Sequence, residues 1–212
     1  MGLRWASTRC SHASFILKVD DDTVFNLERT YTLLLGENLE NTMMGYMLNN
    51  TKPRRSKQNK WHVTFDEYAR SEYPPYLSGW YYTTTPEVAR KICDEAVYHM
   101  KFWIDDILVS GILTEALNIK LKQLPENFWL EYYELLECCI NDMVKAHVMC
   151  EYVVGPNGNR NNLIYEYNDA VRNCDNNCTK RPTNRPLNKY CVAYRDRNIF
   201  SDGAAVIRHV RL

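Results

Sequence analysis

The chain has 212 residues, which is enough for one domain with a sizeable hydrophobic core. Its 26 basic residues balance its 26 acidic residues, so the charge gives no reason to expect a nucleic acid or an anionic membrane surface as a partner. As written, the sequence has no signal peptide and no long apolar run, and it predicts neither secretion nor a membrane span.

The cysteines and the glycosylation sequons, in contrast, indicate the secretory pathway. The eight cysteines are an even number, which is compatible with disulfides formed in the secretory pathway. Two sequons, at Asn49 and Asn177, lie in polar stretches where loops are expected. Cys174 and Cys178 could be half of a zinc site, but no matching pair completes it. The conflict disappears if the chain is a piece of a longer protein whose membrane anchor lies upstream.

Taken in chain order, the hydrophobic pattern alternates between strands and helices and predicts an α/β fold. Strands are predicted at 15–19, 43–48, 81–84 and 119–124. Helices are predicted at 26–35, 85–99 and 107–117, and Asn26 and Thr85 are the expected N-caps of the first two.

The connecting segments and the tail have distinct compositions. Residues 49–60 are polar and basic and predict an exposed loop, while the prolines of 73–79 exclude a helix there. Residues 126–149 are acidic and aromatic and predict a mixture of elements. From about Gly155 the chain is rich in Asn, Gly and Arg and shows little hydrophobic periodicity. We therefore predict a main domain at 1–150 and a divergent tail at 151–212, either an accessory lobe or poorly ordered.

Three consecutive aspartates, Asp20 to Asp22, follow the strand predicted at 15–19. Neighbouring carboxylates repel one another, so a cation or a basic partner must offset that cost. Carboxylate oxygens suit Mn²⁺ or Mg²⁺, and proteins often hold these metals with one or two carboxylates together with substrate phosphates. The strand context therefore favours a site for a metal and a phosphorylated substrate over a solvated acidic turn.

A second acidic pair, Asp105 and Asp106, lies inside an apolar segment just before a predicted helix. A carboxylate in apolar surroundings has a pKa suited to a general base. The alternative is a helix N-cap, which would explain one of the two aspartates but not both. We interpret the first acidic site as the metal site and the second as the site of the base.

Four motifs stand out together in the sequence: residues 15–26, preceded by Trp5 and Cys10, and residues 60–64, 73–79 and 105–112. In that order they resemble the DxD strand, the KW element, the YPxYxSG element and the EDV element of the β-1,3-galactosyltransferase family, whose members are inverting Golgi glycosyltransferases with a GT-A fold. The resemblance covers about residues 3 to 125, and the motifs are specific as a set although each alone is weak.

The resemblance implies roles for single residues. Asp20 and Asp22 would be the ends of the DxD motif and would hold Mn²⁺ or Mg²⁺ against the diphosphate of a UDP-sugar donor. Asp106, with Asp105 beside it, would be the base that deprotonates a hydroxyl of a glycan acceptor on protein or lipid. His147 is the candidate for a further metal ligand. The expected substrate-binding residues are Lys18, Asp21, Trp61, Tyr76, Ser78 and Gly79.

The resemblance also implies the reaction and the setting. A galactose or N-acetylglucosamine would be transferred from UDP to form a β-1,3 linkage, in the Golgi lumen. The fold would be GT-A-like and Rossmann-type but incomplete at its N-terminal, nucleotide-binding half, so the chain resembles a truncated member. Two departures from the family pattern are Asp105, which replaces a Glu, and the aromatic run 80–82, which replaces a Gly-Tyr pair.

Two other interpretations remain open. Residues 15–24 also fit the motif of the haloacid-dehalogenase phosphatases, with Asp20 as the nucleophile and Asp22 as the acid/base. That family has no use for Trp61 or for the elements at 73–79. The other possibility is a non-catalytic fragment of a transferase that no longer binds UDP.

Overall fold

The computed structural model describes residues 2–126, 128–130, 133–174 and 177–191. The chain divides into two compact units. We call Met1–Asp20 with Leu34–Leu124 the sheet unit, and Asp21–Leu33 with Pro125–Leu212 the disulfide unit. This division falls inside the aspartate triplet and differs from the domain boundary predicted after residue 150, which stays a prediction.

Strands and helices are interspersed along the described residues, and the first two strands, like the third and the fourth, follow one another directly. The strands are β1 (Ile16–Val19), β2 (Thr23–Phe25), β3 (Thr42–Leu48), β4 (Tyr76–Thr84), β5 (Lys120–Gln123) and β6 (Val154–Pro156). The helices are α1 (Gly2–Arg9), α2 (Leu27–Leu35), α3 (Pro86–Glu95), α4 (Asp105–Ile107), α5 (Leu113–Ala116), α6 (Tyr133–Asn141), α7 (Leu163–Cys174) and α8 (Leu187–Tyr190). A 3₁₀ turn (Ala96–Tyr98) and two π turns (Leu108–Ile112 and Asp142–Ala146) extend α3, α4 and α6.

The sheet unit contains a mixed four-stranded sheet in the order β1-β4-β3-β5. β4 pairs antiparallel with β1 and β3, and β5 lies parallel to β3. The predicted α/β class is confirmed, and its sheet is mixed. Its main core brings α3 and α5 onto the sheet through buried apolar side chains, which are Met43, Leu77, Tyr82, Val88, Ile92, Leu113 and Ile119.

The structure confirms the two predicted N-caps. The Thr85 hydroxyl accepts a hydrogen bond from the Val88 N–H (3.3 Å), and Pro86 follows where a missing N–H costs no helical bond. The Asn26 carboxamide oxygen accepts from the Arg29 N–H (2.9 Å). β4 begins earlier than predicted, at Tyr76, because the prolines before it exclude a helix and leave the chain extended.

The disulfide unit combines a two-stranded sheet, in which β2 pairs antiparallel with β6, with α6 and α7. Three disulfides join Cys138 to Cys191, Cys139 to Cys150 and Cys174 to Cys178. Six of the eight cysteines are therefore paired, and the half-zinc interpretation of the last pair is wrong.

Part of the divergent tail is ordered around a helix that the sequence analysis missed. α7 buries Leu163, Tyr167, Ala170, Val171 and Cys174, a helical spacing that follows one face. The spacing escaped notice because the face includes a tyrosine, an alanine and a cysteine among Asn, Arg and Asp neighbours. Residues 192–212 of the predicted tail lie outside the described residues.

Candidate active site

Lys18 links the end of β1 to β4. Its ammonium group donates hydrogen bonds to the Asp20 carboxylate and to the Gly79 carbonyl oxygen, and it lies 5.9 Å from the centre of the Tyr82 ring. The Asp20 N–H donates to the Trp80 carbonyl oxygen (3.1 Å) and so continues the pairing of β1 with β4. Lys18 is therefore the basic partner that the aspartate triplet requires, at least for Asp20.

Asp21 and Asp22 belong to the disulfide unit, and both are exposed. The Asp22 carbonyl oxygen accepts a hydrogen bond from the Asn157 N–H (2.9 Å), at the end of the pairing between β2 and β6. The backbone that carries the Asp22 carboxylate is thus held by a sheet, while the carboxylate itself faces solvent.

Asp106 lies in the first turn of α4, and its carboxylate accepts a hydrogen bond from the Gly79 N–H of β4 (2.9 Å). The N-cap of α4 is Ile104, which makes no side-chain cap bond, so neither Asp105 nor Asp106 has the capping role of the alternative interpretation. A Cβ built on Gly79 would lie 1.9 Å from the Asp106 Oδ1 atom. Any larger residue at this position would therefore displace the Asp106 carboxylate.

Ser110, in the π turn after α4, ties the same helix to β4. Its hydroxyl accepts from the Leu77 N–H (2.9 Å) and lies within hydrogen-bond distance of the carbonyl oxygens of Asp106 (2.7 Å) and Leu77 (3.0 Å). The side chain is fully buried. A polar bond in such surroundings is costly to break, so Ser110 holds the backbone of Asp106 at a constant distance from β4.

The Asp106 carboxyl has a pKa above its ordinary value. Half-burial is the main cause, the negative charges of Asp105 and Asp20 add to it, and the Gly79 N–H and Lys18 oppose it. Burial and the same three carboxylates also raise the pKa of Tyr82. The fold therefore brings Asp20 and Asp106, which are far apart in sequence, to one place.

A cavity of about 580 Å³ opens beside Asp106. It is lined by four of the predicted site residues, Trp61, Tyr76, Ser78 and Asp106. The rest of its lining consists of Leu48, Asn50, Thr51, Lys52, Arg54, Tyr73, Ile104 and Ile107. Carboxylate, aromatic and hydroxyl groups around a cavity of this size are suited to a sugar.

Trp61 stacks on Trp103, with ring centroids 5.7 Å apart and planes inclined by 10°. Both rings are 48% exposed. Sequence reasoning singled out Trp61 but gave no site role to Trp103 or to Tyr73 of the cavity wall. Trp103 directly precedes Ile104, Asp105 and Asp106, and this adjacency was the available signal.

His147 lies in the disulfide unit, where it ends a π turn with a left-handed backbone (φ 51°). Its side chain is exposed, and its carbonyl oxygen accepts from the Thr179 N–H (2.9 Å). Within the described residues, no group of three or more His, Cys, Asp or Glu side chains is arranged to hold a metal ion. The metal-ligand role of His147 stays a prediction.

The family model described as Galactosyltransferase matches residues 1–125, which include the whole sheet unit, the aspartate triplet and Asp106. The chain therefore belongs to the galactosyltransferase family. This match covers the elements at 60–64 and 73–79 as well as the triplet, and it removes the support for the phosphatase interpretation.

Curated relatives agree with the family match. The chain is 28% identical to human beta-1,3-galactosyltransferase 2 over 152 residues, which are 69% of this chain and 36% of that protein. It is 34% identical to chimpanzee (Pan troglodytes) beta-1,3-galactosyltransferase 5 over 127 residues, 58% of this chain and 42% of that protein. It is 29% identical to mouse beta-1,3-galactosyltransferase 1 over 151 residues, 69% of this chain and 45% of that protein.

The chain thus spans 36% to 45% of the length of these relatives. No helix in the described part of the chain is long and apolar enough to cross a membrane.

Proposed function

We propose that this chain belongs to a GT-A-type enzyme that transfers a hexose, galactose or N-acetylglucosamine, from a UDP-sugar to a glycan hydroxyl. The transfer inverts the anomeric centre, forms a β-1,3 linkage and takes place in the Golgi lumen. The observation that carries the proposal is the position of Asp106. It lines the cavity, its pKa is raised, and the Gly79 N–H holds its carboxylate.

Asp106 acts as the base in a single displacement. Its carboxylate takes the proton of the acceptor hydroxyl while the acceptor oxygen forms a bond to the anomeric carbon of the donor sugar. The bond between that carbon and the UDP oxygen breaks, and UDP leaves with the bonding electrons. The raised pKa of Asp106 suits this role because a stronger base takes the hydroxyl proton more readily.

The donor is held through the aspartate triplet. Carboxylate oxygens are the donor atoms that Mn²⁺ and Mg²⁺ prefer, so Asp20 and Asp22 fit such a metal, and His147 is the further candidate. Proteins often hold these metals with only one or two carboxylates, so substrate phosphates and water would complete the coordination. When bound, the metal neutralises charge on the departing diphosphate.

Two substitutions separate the base from the donor site. Asp106→Asn in the 212-residue chain should lower kcat by about 10²- to 10⁴-fold, because general-base catalysis contributes on this scale, while Mn²⁺-dependent UDP binding is unchanged. Asp22→Ala should abolish metal-dependent UDP binding. Turnover is measured with UDP-galactose and UDP-N-acetylglucosamine, and binding by calorimetry. Asp94→Asn, at an exposed position of α3, is the control for the loss of one negative charge.

Wild-type rates in both variants would show that the assignment is wrong. A non-catalytic fragment is the second candidate, because the chain spans less than half of the relatives' length. That candidate predicts no UDP binding by the wild-type chain at any Mn²⁺ concentration, so the same calorimetry distinguishes the two.

A further inference from the structure

Residues 49–60 contain five basic side chains and no acidic one, in a chain whose overall charge is balanced. One of these basic residues, Arg55, has a purely structural role. Its guanidinium donates hydrogen bonds to four backbone carbonyl oxygens, those of Val63, Thr64, Tyr68 and Arg70, and packs 4.0 Å from the centre of the Phe65 ring. Arg55 therefore fixes the shape of the loop that follows β3.

Arg54 and Lys52 have a different position, because both line the cavity that contains Asp106. The positive charge of Arg54 acts on the pKa of Tyr76 in the cavity wall. In the part of the chain that the structure describes, Arg54 makes no ion pair, and Lys52 makes a loose exposed one with Glu72 (3.7 Å). Exposed pairs of this kind contribute little, so both cations remain available to a ligand.

The backbone of Arg54 explains why its side chain is held at the cavity. The Val63 N–H donates to the Arg54 carbonyl oxygen (2.8 Å), and Arg54 forms a parallel bridge with His62. Arg55, next in the chain, is anchored by its four side-chain bonds. The Arg54 guanidinium is thus carried by a fixed backbone and is itself exposed.

A neutral sugar gains little from the positive charges of Arg54 and Lys52. Its hydroxyls and its apolar face already find partners in the other cavity residues Tyr73, Tyr76, Ser78 and Trp61. A carboxylate or sulfate gains charge-assisted hydrogen bonds from a guanidinium and an ammonium group. The donor diphosphate is also an anion, but the proposed base Asp106 lines this cavity and must contact the acceptor hydroxyl. The anion that fits here is therefore one carried by the acceptor.

We propose that the acceptor is an anionic saccharide whose carboxylate or sulfate is bound by Arg54 and Lys52 at the cavity that Asp106 lines. This inference rests on the proposed function, because it assigns the cavity to the acceptor. Lys57, in the same loop, does not line the cavity and serves as a matched control for loss of positive charge.

The test measures binding of three disaccharides to the 212-residue chain by calorimetry: N-acetyllactosamine, its 6-sulfated form and a glucuronate-terminated disaccharide. At least one anionic form should bind about tenfold more tightly than the neutral one, since a hydrogen bond to a charged group is worth roughly that factor. Arg54→Gln should reduce the ratio of anionic to neutral affinity by about five- to tenfold. Lys52→Gln should have a smaller effect in the same direction, and Lys57→Gln should match the wild type.

The outcomes separate this inference from the proposed function. Equal binding of neutral and anionic disaccharides, with transfer to the neutral one, would overturn the inference and leave the transferase intact. Equal losses in Arg54→Gln and Lys57→Gln would also overturn it, because the effect would then be one of general charge. If Arg54→Gln weakened UDP binding instead, the anion would be the donor's diphosphate. Failure to bind any disaccharide or UDP would overturn both proposals.

Discussion

In the sheet unit, a mixed four-stranded sheet and its helices enclose an apolar core, and its cysteines, Cys10 and Cys93, are unpaired. In the disulfide unit, the sheet has two strands and three disulfides lie in or beside the core. The contrast shows two sources of stability in one chain. Where few strands pair, covalent cross-links restrict the unfolded state instead.

Most of the candidate site lies in the sheet unit, although the proposed metal ligands Asp22 and His147 belong to the disulfide unit. Lys18, Gly79, Asp106 and the cavity all belong to the sheet unit, where the ends of strands and the start of α4 are held by hydrogen bonds. The family match ends at residue 125, close to the point where the sheet unit ends at Leu124. The family match therefore covers the whole sheet unit, which holds these groups in place without disulfides, together with Asp21–Leu33 of the disulfide unit.

Removing disulfides should have the largest effect and should be confined to one unit. The Cys138–Cys191 bridge spans 53 residues and the Cys139–Cys150 bridge spans 11, so replacing each pair by alanine should cost about 4 and about 3 kcal/mol respectively. Hydrogen exchange with mass spectrometry should show the loss of protection in the disulfide unit. The double variant of Cys10 and Cys93 to alanine is the control, and equal losses in both units would contradict the contrast.

A methyl group at Gly79 should damage the chemistry more than the fold. Gly79→Ala places a Cβ on the Asp106 carboxylate, which must move, and a displacement of about 1 Å can cost roughly 100-fold in rate. We expect kcat to fall by at least about that factor while the melting temperature shows a fold that remains formed. Gly155→Ala in β6 meets its nearest atom at 3.4 Å, an ordinary contact, and should keep both activity and stability.

Local signals predicted much of the sheet unit. Thr85-Pro86 marks the start of α3, the prolines before Tyr76 exclude a helix, and Asp106 stands out as a charge in an apolar run. These features depend on neighbours in sequence, so one sequence is sufficient to find them. The specific motif set from residue 15 to residue 112 then placed the chain in its family.

Contacts between distant residues could not be predicted in this way. Lys18 meets Gly79 across 61 positions, and Gly79 meets Asp106 across 27, and no local pattern encodes either bond. Disulfide pairing has the same limitation, because eight cysteines allow many connectivities. The apolar face of α7 is hard to recognise in the sequence, because it includes Tyr167 and Cys174 and so lacks a clear run of aliphatic residues.

The ionised form of Asp106 should lower the free energy of unfolding of the sheet unit, a cost that the neutral residues around it do not carry. A raised carboxyl pKa means that the fold prefers the protonated form, so its contribution is present at low pH and is lost as the pH rises through the raised value. Asp106→Asn removes the charge and with it this loss of stability, while the asparagine side-chain oxygen can still accept a hydrogen bond from the Gly79 N–H. The variant should therefore melt at a higher temperature than the wild type at pH 7.5, and the difference should shrink near pH 4.

Calorimetric melting curves at several pH values check this prediction. Asp94→Asn, exposed on α3, shows the effect of removing one negative charge elsewhere in the same unit. If Asp106→Asn melted below the wild type at neutral pH, the carboxylate would stabilise the fold, and its assignment as a residue kept for chemistry would lose its thermodynamic support.

The two confirmed N-caps offer the smallest test of the contrast, because Thr85 lies in the sheet unit and Asn26 in the disulfide unit. Thr85→Ala removes the acceptor of the Val88 N–H in the sheet unit and should cost about 1 kcal/mol, whereas Thr85→Ser should restore most of it. Asn26→Ala removes the corresponding acceptor for Arg29 in the disulfide unit, and Asn26 is also buried. Hydrogen exchange should place the first loss in α3 and the second in the first turn of α2. Since neither bond involves a disulfide, similar losses in both would show that the units differ in their cross-links and not in how their helices begin.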